Sequence, residues 1–126
     1  MKLMLLAGMG GAIGASARYL VGVACAVWFP VSFPWATFAV NVIGSFLMGI
    51  IVAAWMPLFG GSPAVRVFLA TGFLGGFTTF SAFALDIFEL SEQQGLLSLV
   101  FYVAGSVALS VLALGLGLLL VRTVLE

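Results

Sequence analysis

Gly75-Gly76-Phe77-Thr78-Thr79-Phe80-Ser81-Ala82-Phe83 interrupts the third apolar stretch of the chain with a glycine pair, hydroxyls and evenly spaced phenylalanines. In water such a string would read as a loop. Here it lies between Arg66 and Asp86, in a run that carries no charge. Backbone groups left unpaired in hydrocarbon are costly, so non-helical backbone at membrane depth survives only when buried in protein or lining an aqueous or ion-filled cavity. The segment therefore marks the functional centre, and the rest of the fold is read outward from it.

The 126 residues are 64% hydrophobic and 6% charged, with no histidine. A soluble domain carries roughly a quarter charged residues, so the class is integral membrane protein. Residues 19–65, 67–85 and 93–121 are free of charge, and roughly 20 apolar helical residues cross about 30 Å of hydrocarbon. The pattern predicts an all-α, single four-helix transmembrane domain over residues 1–126, with spans at about 3–28, 35–58, 64–90 and 96–121. The third span, about 40 Å long if straight, exceeds the bilayer core and is expected to break at Gly75-Gly76. Connections at 29–34, 59–63 and 91–95 leave no room for a soluble catalytic domain. Lys2 with Leu3, Leu5 and Leu6, followed by Ala15-Ser16-Ala17, imitates a cleaved leader. The intervening glycines and the apolar sequence beyond Arg18 argue that the first span stays.

Four spans place both termini on one side, together with Lys2, Arg66 and Arg122. The positive-inside rule puts that side in the cytoplasm. Cys25 is the one cysteine, lies in an apolar span and is assigned to packing.

The polar residues fall in columns. Gly10, Gly14 and Arg18 follow one another at four-residue spacing, a small-residue stripe that lets another backbone approach closely. Arg18 then faces a cavity, carbonyls or a counter-charge, or else snorkels toward the interface beside Tyr19. Thr37, Asn41 and Ser45 stand at i, i+4, i+8 on the second span, and Tyr102, Ser106 and Ser110 do so on the fourth. Each column taken alone is consistent with interhelical glue or with serines bonding their own i−4 carbonyls. Two such columns beside a broken helix favour a cavity. Phenyl rings have negative faces and positive edges, so Phe80 and Phe83 can present edges to a small anion without a full charge that would trap it. Conduction requires that balance between binding and release.

No histidine, one cysteine and no paired membrane carboxylates exclude an activated nucleophile or a side-chain metal cluster, and no phosphate-cradling loop is present. The expectation is that the chain is not an enzyme. Asp86, Glu89 and Glu92 close the third span, either as a vestibule or as solvated helix-end charges. A proton-coupled four-span multidrug antiporter is the alternative function, but that mechanism needs a membrane-embedded carboxylate and the first two spans have none. A non-conducting accessory protein is the third possibility.

On these residues the chain resembles the Fluc (CrcB) family of fluoride channels over essentially its full length. The resemblance is carried by the glycine-rich first span ending in Arg18-Tyr19, by Asn41, and above all by the string 75–83. It implies a passive fluoride channel built as an antiparallel homodimer of dual topology in the cell membrane, with two pores and a structural Na+ at the dimer centre. The carbonyls of Gly75 and Thr78 would hold Na+. Asn41, Phe80, Phe83, Tyr102, Ser106 and Ser110 would line the fluoride pathway. Arg18 matches the family arginine, and Asp86 falls where the family often has Glu. Ala82 and Ala84 depart from the usual Thr and Ser. Dual insertion also sits in tension with the one-sided count of Lys and Arg.

Overall fold

A computed structural model describes residues 1–125, which are helical apart from short connections. The elements are α1 (Lys2–Trp28), α2 (Trp35–Phe59), α3 (Pro63–Arg66), a π-helical segment (Val67–Leu74), α4 (Gly75–Phe77), α5 (Phe80–Gln93) and α6 (Leu96–Leu125). Four passages, Lys2–Trp28, Trp35–Phe59, Pro63–Gln93 and Leu96–Leu125, are long and apolar enough to cross a membrane. They match the expected spans, with the third and fourth running a few residues further than hydropathy indicates. The helix of α2 stops at Gly60, whose φ of 57° is the left-handed conformation that favours glycine at a helix end.

The break in the third passage differs from expectation. Gly75 and Gly76 are helical, Gly75 having φ −63° and ψ −34°. The chain leaves the helix at Thr78 (φ −80°, ψ 161°) and Thr79 (φ −154°, ψ 124°). The glycines are needed for space. A methyl group at Gly76 would meet the Gly11 carbonyl and, at 3.1 Å, the Ala15 nitrogen. Gly72 is held against Ala7 and Gly10 in the same way, and a methyl at Gly10 or Gly14 would run into the backbone around Phe73. α1 and the first half of the third passage thus meet backbone to backbone. The small-residue stripe read in the first span is this seam.

A second seam joins α2 to α6, where Gly49 faces the Leu114 carbonyl and Gly117 faces the Phe46 carbonyl. Between the two seams lies a cluster of Val40, Leu74 and Phe77. A separate cluster of Phe83, Leu90 and Tyr102 ties α5 to α6 and to the α1–α2 connection through Phe33. The chain direction puts Lys2, Arg66 and Arg122 at one end of the bundle and Asp86, Glu89 and Glu92 at the other. At the cationic end Arg66 lies 4.8 Å from the Trp55 ring centre, and the Trp55 indole N–H donates to the Ser62 carbonyl at 3.1 Å.

Candidate ion pathway

α2, the break, α5 and α6 enclose an open groove of about 390 Å³ that is apolar for most of its wall. Its polar lining comes from Asn41, Ser45, Thr78, Thr79, Ser106 and Ser110, and Phe80 and Phe83 supply its aromatic wall. The helical spacing read in the sequence accounts for this convergence. Asn41 and Ser45 are one turn apart on α2, and Ser106 and Ser110 one turn apart on α6, so each pair shares a face.

The break separates the three phenylalanines. Phe77 is 6% exposed in the core and stacks on Phe73 with ring centres 5.9 Å apart. Phe80 is 79% exposed and stands at the groove wall. Phe83 is buried, with its ring 5.7 Å from Phe80 and 5.3 Å from Tyr102. The three evenly spaced phenylalanines therefore divide into a pair on the groove and one core residue.

Asn41 holds the break. Its Nδ2–H donates to the Thr79 carbonyl at 3.0 Å, and the Thr79 N–H donates to its Oδ1 at 2.8 Å. The opposite amide orientation would set oxygen against oxygen, so the partners fix which atom is which. An amide nitrogen has two hydrogens, and one remains for the groove. The Thr78 hydroxyl donates to the Leu74 carbonyl at 2.8 Å, and the Thr79 hydroxyl accepts from the Ala82 N–H at 3.1 Å as the cap of α5. Ala82 supplies the backbone donor that this cap requires.

Ser106 is 5% exposed and its Oγ has no hydrogen-bond partner. A buried hydroxyl left unpaired costs about 1–3 kcal/mol. The alternative that α6 serines bond their own i−4 carbonyls does not hold for Ser106. Tyr102 is fully buried and donates its hydroxyl proton to Asp86 at 2.7 Å. That bond turns the tyrosine toward the mouth of the bundle; Tyr102 is not among the groove-lining residues. Asp86 lines a smaller cavity of about 220 Å³ with Ser32, Glu89 and Gln93. Sequence reasoning missed Ser32 and Phe33, whose loop showed no chemical signature, and Ser45 was read only as part of a column.

Arg18, Gly10 and Gly14 stand apart from both cavities. The glycines are consumed by the α1 seam, and Arg18 is half-buried on the next turn of α1.

The residues assigned to Na+ suit a hard cation that takes oxygen ligands. In a continuous helix the Gly75 carbonyl would accept from the Thr79 N–H, and the Thr78 carbonyl from the Ala82 N–H. Here the Thr79 N–H is bonded to Asn41 and the Ala82 N–H to the Thr79 hydroxyl. Both carbonyls are released from their helical partners. Among the described residues no cluster of three or more His, Cys, Asp or Glu side chains offers a competing metal site.

Comparison with known proteins agrees with this architecture. The chain is 49% identical over 122 residues to a Rhizobium meliloti protein named Fluoride-specific ion channel FluC, covering 97% of this chain and 98% of the relative. It is 46% identical over 123 residues to the protein of that name from Rhodospirillum centenum, covering 98% of each. It is 48% identical over 122 residues to the one from Chelativorans sp., covering 97% of this chain and 98% of the relative. These names describe channels, not enzymes. The family described as CrcB-like protein, Camphor Resistance (CrcB), matches residues 5–118, and the chain belongs to that family.

Proposed function

We propose that the protein is a passive fluoride-selective channel of the cell membrane, and that the groove becomes one wall of its ion pathway when two copies pair antiparallel. The observation that carries this reading is the Ser106 hydroxyl, buried without a partner on the groove wall. In a pathway for a small anion its proton has a partner whenever an ion is present. The free N–H of Asn41 and the edges of Phe80 and Phe83 complete a set of weak, uncharged donors. None of them carries a charge that would hold the ion.

The exposed ring of Phe80 supports pairing, since a second copy would cover it. The released carbonyls of Gly75 and Thr78 would hold Na+ between the copies, and the cation would supply fixed positive charge to the assembly. Asp86 and Tyr102, joined by their hydrogen bond, would lie at the mouth.

Fluoride is the base of a weak acid whose neutral form crosses membranes and dissociates inside the cell. An inside-negative potential then drives the trapped anion out through a passive conduit, at about 2.3 kcal/mol per charge per 100 mV. No energy-coupling group is required.

The test is fluoride efflux from liposomes containing the purified protein, with valinomycin and a potassium gradient but no proton gradient. Efflux under those conditions, with chloride retained, is expected. Efflux that appears only with an imposed proton gradient would indicate an antiporter and overturn the proposal.

A further inference from the structure

The two carbonyls assigned to the cation are both released by side chains, those of Asn41 and Thr79, and both residues line the anion groove. A broken helix does not by itself expose its last carbonyls, because they are usually recaptured by nearby amides in a tightened final turn. At this break the two amides in question are held elsewhere. Thr79 N–H donates to Asn41 Oδ1 at 2.8 Å, and Ala82 N–H donates to Thr79 Oγ1 at 3.1 Å. The Asn41 contact is two-pointed, with Nδ2–H on the Thr79 carbonyl at 3.0 Å. It therefore fixes the plane of that peptide as well as its amide.

We propose that Asn41 and Thr79 are positioning residues for the Na+ site: by taking the amides that would otherwise close on the Gly75 and Thr78 carbonyls, their side chains keep both oxygens available to the cation. The inference rests on the channel reading above and deepens it. Asn41 then touches the anion groove with one N–H and, by holding the Thr79 peptide with its other polar atoms, keeps the Gly75 carbonyl open to the cation. Its part in fluoride passage is partly indirect, through the backbone of Thr79.

The packing around the clamp explains why it is rigid. Gly44, one turn along from Asn41, lies against the Thr78 side chain, so that a methyl at Gly44 would collide with Thr78 Cγ2. Thr79 itself is 9% exposed. The break is held from α2 at two successive residues, by shape at Thr78 and by hydrogen bonds at Thr79.

The experiment uses the purified full chain and three variants, Asn41→Ala, Thr79→Val and Thr79→Ser. Sodium is titrated against N-methylglucamine while the thermal unfolding midpoint is followed, and amide exchange at Thr79 is read by NMR on threonine-labelled protein. Wild type and Thr79→Ser are expected to show the same sodium-dependent rise in midpoint. Thr79→Val and Asn41→Ala should need at least tenfold more sodium for half of that rise. Asn41→Ala should also speed exchange of the Thr79 amide at least tenfold, a change that loss of an anion ligand alone would not produce. A sodium response in both variants equal to wild type overturns the proposal, as does unchanged Thr79 exchange in Asn41→Ala. Wild type lacking any sodium response overturns the cation site and this inference together. Absence of fluoride efflux with the sodium response intact would remove the anion reading alone.

Discussion

Phe77 and Phe80 sit three residues apart, yet one is sealed in the core and the other stands open at the groove. The same contrast holds for the two halves of the third passage. The half before the break lies on α1 through a seam of glycines, where backbone meets backbone and no side chain intervenes. The half after it packs on α6 through larger residues, Phe83 and Leu90 against Tyr102, and leaves beside them a mainly apolar groove dotted with polar side chains. Both halves carry three phenylalanines, so their aromatic content does not distinguish them. The residues facing them do: glycines bring α1 onto the first half until no space is left, whereas Tyr102, packed on Phe83 and Leu90, holds α6 at side-chain distance from α5, and Ser106 and Ser110 supply hydroxyls to the groove.

This contrast can be broken most severely from the sealed side. Phe77→Ala removes a ring stacked on Phe73 and packed on Val40 and Leu74, and is expected to cost about 3–5 kcal/mol, measured by equilibrium unfolding in detergent. On the open side, Phe80→Ile should lower fluoride efflux from liposomes at least about a hundredfold, equivalent to about 2.7 kcal/mol, while the assembly elutes unchanged on size-exclusion chromatography. Normal flux in Phe80→Ile would remove the phenyl-edge mechanism.

Ser106→Ala sharpens the comparison, because it should move stability and flux in opposite directions. Deleting a buried hydroxyl that lacks a partner should raise unfolding stability by about 1 kcal/mol and reduce efflux about tenfold. A fall in stability would show that the hydroxyl is already paired in the assembled protein. The smallest effect is expected on α2. Thr37→Ala should change efflux less than about twofold, well below the loss in Asn41→Ala, since Asn41 alone of the two lines the groove and clamps the break. Equal, small losses in both would reduce Asn41 to helix glue.

Much of this was legible in the chain. Charge-free runs of bilayer length placed the four passages, and i, i+4 spacing brought Asn41, Ser45, Ser106 and Ser110 toward one gap. The position of the break was not legible from the glycines. In a soluble chain Gly75-Gly76 would signal a turn, but in a membrane helix a glycine serves equally as a flat contact surface, and Gly76 does that against Gly11. The threonines are the residues that leave the helix, and Asn41 offers the Thr79 backbone a substitute partner. That pairing links positions far apart in sequence, which no local pattern reveals. The π-helical segment Val67–Leu74 was equally invisible, since its hydrophobic content suits an α-helix as well.

The charged ends of the bundle carry a last consequence. Lys2, Arg66 and Arg122 at one extremity and Asp86, Glu89 and Glu92 at the other, with Arg18 between them on α1, give the chain an electrical polarity along its helices. Two subunits placed side by side in the same direction would add their polarities and crowd like charges at each surface. In the antiparallel pair proposed above the sum would cancel: each leaflet would meet one basic extremity and one acidic one, and the pair would look alike to an ion approaching from either compartment.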